Sequence, residues 1–106
     1  MSKSLLPFSN IFTDIIGFDW NDGNINKNLI KHNVTWKEAE EIFGNQPLIL
    51  LEDPKHSSSE PRLAAHGHSN NGRLLTIIFT IRNHKIRIIS ARDQSHNERR
   101  QYEQVK

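Results

Sequence analysis

Between Arg73 and Arg82 every second position is apolar. Leu75, Ile77, Phe79 and Ile81 share one face of an extended strand, and Leu74, Thr76, Ile78, Thr80 and Arg82 share the other. The first face reads as core. The second is mixed and reads as a site or an interface. An Asn70-Asn71-Gly72 turn joins this strand to an earlier one over Arg62–Ser69, and Asn83-His84 joins it to a later one over Lys85–Arg92. Turn residues between strand-like runs are the mark of hairpins, so the three strands form a meander. Leu48–Glu52, closed by Asp53-Pro54, is a further strand, and the polar, serine-rich stretch Lys55–Pro61 is a loop.

Upstream the period lengthens to that of helices. Asn21 or Asp22 can cap a helix running to about Lys31–Asn33, with Ile25 and Leu29 on one face. Asn33 suits the exit, because Asn tolerates the left-handed conformation of a residue just past a helix end. Thr35-x-x-Glu38 is a capping box, in which hydroxyl and carboxylate satisfy free amides at a helix start. Trp36, Ala39, Ile42 and Phe43 then share a core face, and Gly44 ends the helix. Ser95-x-x-Glu98 is a second capping box and opens a last helix through Tyr102. Phe18–Trp20 is a short extended segment. This order predicts an α+β fold, with two N-terminal helices and a C-terminal helix packed on an antiparallel β-sheet. Residues 1–17 read as an N-terminal extension, an edge strand or arm, and residues 18–106 as a single domain.

Composition narrows the function classes. Apolar residues make up 35% and charged residues 25% of the 106, as in a polar globular domain. The apolar runs Leu48–Leu51 and Leu74–Ile81 are too short to span a bilayer. There is no cysteine, which removes disulfides and thiol nucleophiles and fits a reducing cytoplasm. Charge is uneven. Residues 1–61 carry five Lys/Arg against nine Asp/Glu, and residues 62–106 carry nine against three. A basic half attracts a polyanion, whereas the acidic half can face a basic partner or simply solvent.

Ordered motifs run from Phe18 to Glu103. They are Phe18-Asp19-Trp20, Asn28 with Lys31-His32, Glu38-Ala39, Leu51-Glu52-Asp53-Pro54 and Glu60-x-Arg62, then Gly67-x-Ser69-x-x-Gly72-Arg73, Arg87-Ile88-Ile89-Ser90-Ala91-Arg92 and Glu98-Arg99-Arg100-x-Tyr102-Glu103. In this order and spacing the chain resembles the BrnT toxins of type II toxin–antitoxin systems. It departs from them at Asn24, where a lysine is common, at Asn33, where a glycine is common, and in the extra residues before Phe18. The resemblance implies a RelE-like ribonuclease fold and an endoribonuclease that needs no cofactor and inhibits translation by cutting RNA in the cytoplasm. It also implies neutralisation by a BrnA-type antitoxin with a ribbon-helix-helix DNA-binding region, and contact with operator DNA only through that complex. A degenerate member, active only as a co-repressor with such a partner, is the alternative.

Metal-independent RNA cleavage uses the substrate's 2′-OH as nucleophile, so the protein must position it, move its proton and stabilise the phosphorane. Arg suits the last task, because its planar fork meets two phosphate oxygens and stays charged. Arg62 and Arg92, within matched motifs, are the candidates for phosphate; either can instead be a rim ion pair. Lys31, Arg82, Lys85 and Arg87 are candidates for RNA contact. Strict alternation turns Lys85 and Arg87 one way and Arg92 the other. His32 is a candidate base or a helix-end cation, and Glu60 a candidate base or a partner that orients Arg62. Trp20 can stack a nucleobase or fill the core. His66 and His68, two apart on one strand face, have the spacing of a metal pair, but no cysteine or fixed carboxylate completes it.

Overall fold

The computed structural model describes residues 12, 14–21, 32–52 and 61–105. Its elements are β1 (Gly17–Phe18), α1 (Trp36–Glu41) tightening into a 3₁₀ turn (Ile42–Gly44), β2 (Ile49–Glu52), β3 (Leu63–His68), β4 (Leu74–Arg82), β5 (Lys85–Asp93) and α2 (His96–Val105). The strands form one five-stranded sheet in the order β1-β5-β4-β3-β2. The meander from β2 to β5 is antiparallel, as the turn residues predict. However, β1 lies parallel to β5, Gly17 opposite Lys85 and Phe18 opposite Ile86, so the sheet is mixed and not antiparallel. Residue patterns report which face a strand shows but not its direction, and β1 reaches its neighbour by no hairpin. Backbone bonds from Ile16 N–H to the His84 carbonyl and from Asp19 N–H to that of Ile86 (both 2.8 Å) hold it there.

The alternation read in β4 builds the core. Leu50, Ala65, Leu75, Ile77, Phe79, Ile86, Ile88 and Ala91 are buried on one sheet face, beneath Val34, Ala39 and Ile42 of the helical layer. Phe43 meets Phe79, Phe18 and Phe12 edge-on at ring separations of 5.3, 5.6 and 5.9 Å. Each such pair contributes about 0.5–1.5 kcal/mol beyond its burial. Phe12 and Ile15 pack on this core and Gly17 lies in β1, so the described part of residues 1–17 is built into the sheet edge and the aromatic cluster.

The helix read over residues 21–33 lies mostly outside the described residues. Its exit does not: Asn33 has φ of +56°, the left-handed conformation expected of it. Asn83 and His84 also have positive φ (51° and 63°), the pair of angles of a type I′ turn. The other hairpin closes differently from an Asn-Gly type I′ turn. Gly72 alone is left-handed (φ +84°), and Gly72 N–H returns to the Ser69 carbonyl at 2.9 Å. This is a three-residue loop with its glycine in the left-handed position.

Both capping boxes form. Trp36 departs from its expected place, being 44% exposed rather than core. The helix it opens has only six residues and meets the sheet mainly through the 3₁₀ turn at its end, leaving the first residue overhanging. That close approach depends on Gly67. A Cβ there would stand 3.1 Å from Ile42 Cβ and 3.3 Å from Leu48 Cδ1. Gly67→Ala is therefore expected to destabilise the fold by about 1–3 kcal/mol, through displacement of the 3₁₀ turn from β3. Urea unfolding of the two proteins, followed by tryptophan fluorescence, measures the difference.

Candidate active site

Alternation fails once in β5. Ile78 pairs with Ser90 but Phe79 pairs with Ile88, so Ile89 is an extra residue, a β-bulge. Ile86 and Ile88 face the core before it and Ala91 faces the core after it. The bulge thereby carries Ser90 and Arg92 onto the same face as Lys85 and Arg87, and corrects the expectation that Arg92 points the other way.

Cross-strand register lays that second face out in rows. At the hairpin end Arg82 is opposite Lys85 and Thr80 is opposite Arg87, while Arg62, just before β3, falls at the level of Thr80. The middle row is Leu51, Ala64, Ile78 and Ser90. The third row is Ile49, His66, Thr76 and Arg92, with His68 and Leu74 beyond it. The first and third rows are four residues apart, about 13 Å along the strands. Leu51, Ile78 and Ser90 are only half-buried, so solvent reaches the floor between them.

The third row carries a connected set of polar bonds. His66 Nδ1 is 2.8 Å from Thr76 Oγ1, and that hydroxyl donates to Glu98 Oε1 at 2.9 Å. The same carboxylate accepts both arms of Arg92, at 2.8 and 3.0 Å, and the Ser95 N–H at 2.8 Å. Burial pushes the Glu98 carboxyl up. The bonds from Arg92, Ser95 and Thr76 outweigh it and bring it down to about 2. Arg92 is raised in turn, chiefly by its bond to Glu98. Beside this row Tyr102, fully buried, gives its one proton to the Pro47 carbonyl (2.6 Å), so His68 Nδ1, 2.9 Å away, donates to it.

The remaining candidates are scattered. His32 lies with the helical layer on the core side of the sheet, next to buried Val34, and its carbonyl accepts from Arg73 at 3.4 Å. Its ring acts on the Asp93 carboxylate, whereas Arg92, one residue before, turns to the other face. The Trp20 indole donates to Glu40 Oε2 at 2.6 Å and packs against the core. Arg87 is 3.4 Å from Asp19. Lys31 and Glu60 lie outside the described residues.

Three roles escaped the sequence. Arg73 grips Asp93 (2.8 Å), Glu38 (3.2 Å) and the Asn33 carbonyl (2.9 Å), which ties the helical layer to the sheet. That grip holds the Asp93 carboxyl below its ordinary value. Glu98 was visible as a cap but not as the partner of Arg92. His66 was visible as half of a metal pair but not as the partner of Thr76. The usable signal for the last was Thr76 itself, a polar residue on the face of β4 already read as mixed. Among the described residues no three His, Asp or Glu groups gather as metal ligands, and no helix is long and apolar enough to cross a membrane.

A family model described as ribonuclease toxin, BrnT, of type II toxin-antitoxin system matches residues 20–98. The match covers well over half of the chain, and the chain belongs to this family. No curated protein matches it.

The Glu98 contacts set a pH dependence. Its carboxyl sits at about 2 in the folded protein against an ordinary 4.5, so the stabilisation is complete above pH 4.5 and is lost as pH falls toward 2. Glu98→Gln is expected to cost about 1–3 kcal/mol at pH 7 and to flatten the decline of stability across that window. Urea midpoints measured from pH 7 down to 2.5 check both.

Proposed function

We propose that this member of the BrnT ribonuclease-toxin family is an endoribonuclease that cuts RNA through attack by the ribose 2′-OH, without a metal ion. The observation that carries the reading is the gathering of Arg62, Arg82, Lys85, Arg87 and Arg92 on one half-open sheet face. A row of cations over a solvent-reached floor suits a single strand, whose phosphates repeat along its length.

Within this reading Arg62 is the first phosphate ligand. Arg92 is the second: Glu98 and the Asp93 carbonyl occupy three of its five N–H groups, which leaves two for a phosphate oxygen. Arg82, Lys85 and Arg87 hold the flanking backbone. Lys31 keeps the role of RNA contact that the sequence gives it, and Glu60 that of base or of orienter for Arg62. The placement of His32 with the helical layer favours a structural role for it, and the Trp20–Glu40 bond favours one for Trp20.

An antitoxin partner belongs to the type II family. We infer that it is BrnA-like, with a ribbon-helix-helix region through which the complex meets operator DNA, and that the free toxin arrests translation in the cytoplasm. A helical layer on the core face and α2 at the third row of the other face of a largely antiparallel sheet support the RelE-like architecture. No observation on the sheet favours a degenerate co-repressor.

Purified protein freed from antitoxin is expected to cut RNA in EDTA and to leave a 2′,3′-cyclic phosphate or 3′-phosphate. Arg62→Ala is expected to lower kcat/KM by about 10²–10³-fold with little change in melting temperature. Cutting that requires a divalent metal and leaves 3′-hydroxyl ends would overturn the mechanism.

A further inference from the structure

The bulge at Ile89 turns two side chains outward together, Ser90 and Arg92. Strict alternation from Ile86 and Ile88 would have put both in the core. Glu98 holds Arg92 in its outward place. The Ser90 hydroxyl has no bond to any protein group among the described residues. It is not a buried orphan either. The one buried side-chain polar atom left unpartnered among those residues is Gln94 Oε1, so the half-buried Ser90 keeps its hydroxyl open to solvent. Folding therefore gains nothing from that hydroxyl, and alanine would fill the place as well.

Its position suits contact with a phosphate. Ser90 stands in the middle row, with Arg87 one row away on one side and Arg92 one row away on the other. Each step is two residues, about 7 Å along the strand. One phosphodiester bridges such a gap, with a hydrogen bond of about 2.9 Å to either side. Across the row the neighbours are Ile78, Ala64 and Leu51, whose side chains offer no acceptor for the serine proton. That proton is left for an oxygen arriving from solvent. Arg92 adds the two N–H groups that Glu98 and the Asp93 carbonyl leave over, so one strand presents three donors. Negative charge grows on the non-bridging oxygens as the 2′-oxygen adds to phosphorus, and donors already in place stabilise that state more than the substrate.

We propose that Ser90 is a further phosphate ligand of the RNA cleavage, its hydroxyl donating to a non-bridging oxygen of the scissile phosphodiester beside Arg92. The proposal rests on the ribonuclease reading and adds no covalent step to it. The 2′-OH loses its proton as its oxygen bonds to phosphorus, and the P–O5′ bond breaks as the 5′-oxygen gains a proton. Ser90 keeps its own proton throughout and forms no bond to phosphorus.

The test uses the full chain in EDTA and a short single-stranded RNA with one mapped cut. That linkage carries oxygen or either of the two phosphorothioate isomers. Ser90→Ala is expected to lower kcat by about 10²-fold, with KM and melting temperature little changed, and Ser90→Thr, which keeps the hydroxyl, to recover most of the loss. Sulfur accepts a hydrogen bond poorly, so the wild type is expected to cut one isomer about tenfold or more slower than the other. In Ser90→Ala that discrimination is expected to fall by about tenfold, because the lost bond no longer tells oxygen from sulfur. A wild type that cuts both isomers as fast as the oxygen substrate overturns the proposal without any variant. A Ser90→Ala protein with wild-type kcat, or with undiminished discrimination between isomers, overturns it while the ribonuclease reading stands. A wild type that cuts no RNA overturns that reading, and this proposal with it.

Discussion

One extra residue in β5 decides what the sheet can do. Without the bulge at Ile89, strict alternation would send Arg92 into the apolar layer opposite Leu75 and turn Ala91 outward. A guanidinium under that layer would have no compatible partner among Leu75, Ile77 and Phe79. The bulge resolves the conflict locally. The first half of β5 supplies Ile86 and Ile88 to the core, the second half supplies Ala91, and every cation of the strand goes to the other face. All that follows on that face, the Arg92–Glu98 pair included, depends on this half-turn of the chain.

The two helices are fixed to the sheet by one device used twice. In each capping box the third helical residue is a glutamate, Glu38 in α1 and Glu98 in α2, and each also accepts an arginine from the strands, Arg73 and Arg92. A single carboxylate thus ends a helix and docks it. For Glu38 and Glu98 alike, burial pushes the carboxyl up, and the backbone and arginine bonds more than reverse it. Because Arg73 leans toward the core-side helical layer and Arg92 toward α2, the two nodes hold helices at opposite faces of the same sheet. Exposed ion pairs contribute little alone. Here the Glu98 side chain is only 17% exposed and is also committed to the backbone and Thr76, so the pair is part of a network whose members restrain one another.

Local chemistry made much of this legible. The strand alternation, both capping boxes, the left-handed Asn33 and the Asn83-His84 turn are properties of neighbouring residues, and they stand where the sequence puts them. What stayed hidden is what depends on distant partners. The direction of β1 is set by the far edge of β5, the bulge by a core conflict across β4, and the exposure of Trp36 by how short a length of helix touches the sheet. The same holds at the site. Arg62 and Arg92 were visible as chemistry, but the glutamate that holds Arg92, the threonine that bonds His66 and the packing of His32 beside Arg73 are facts of folding alone.

The sheet divides its labour by face, and the division explains why a polar chain of bonds persists in its third row. Thr76 and His66 are nearly as buried as the core, and apolar side chains of similar volume would fill their places without needing partners. Stability alone does not call for them. What the bonds supply is direction: the Thr76 hydroxyl gives its proton to Glu98, so its oxygen accepts from His66 Nδ1. The aromatic and aliphatic core on the opposite face, pinned by Phe43 against Phe79 and by Gly67 under Ile42, carries the stability that lets this face be polar. A sheet buried on one side and ordered by charge on the other can hold arginines beside buried polar groups without their repulsion unfolding it.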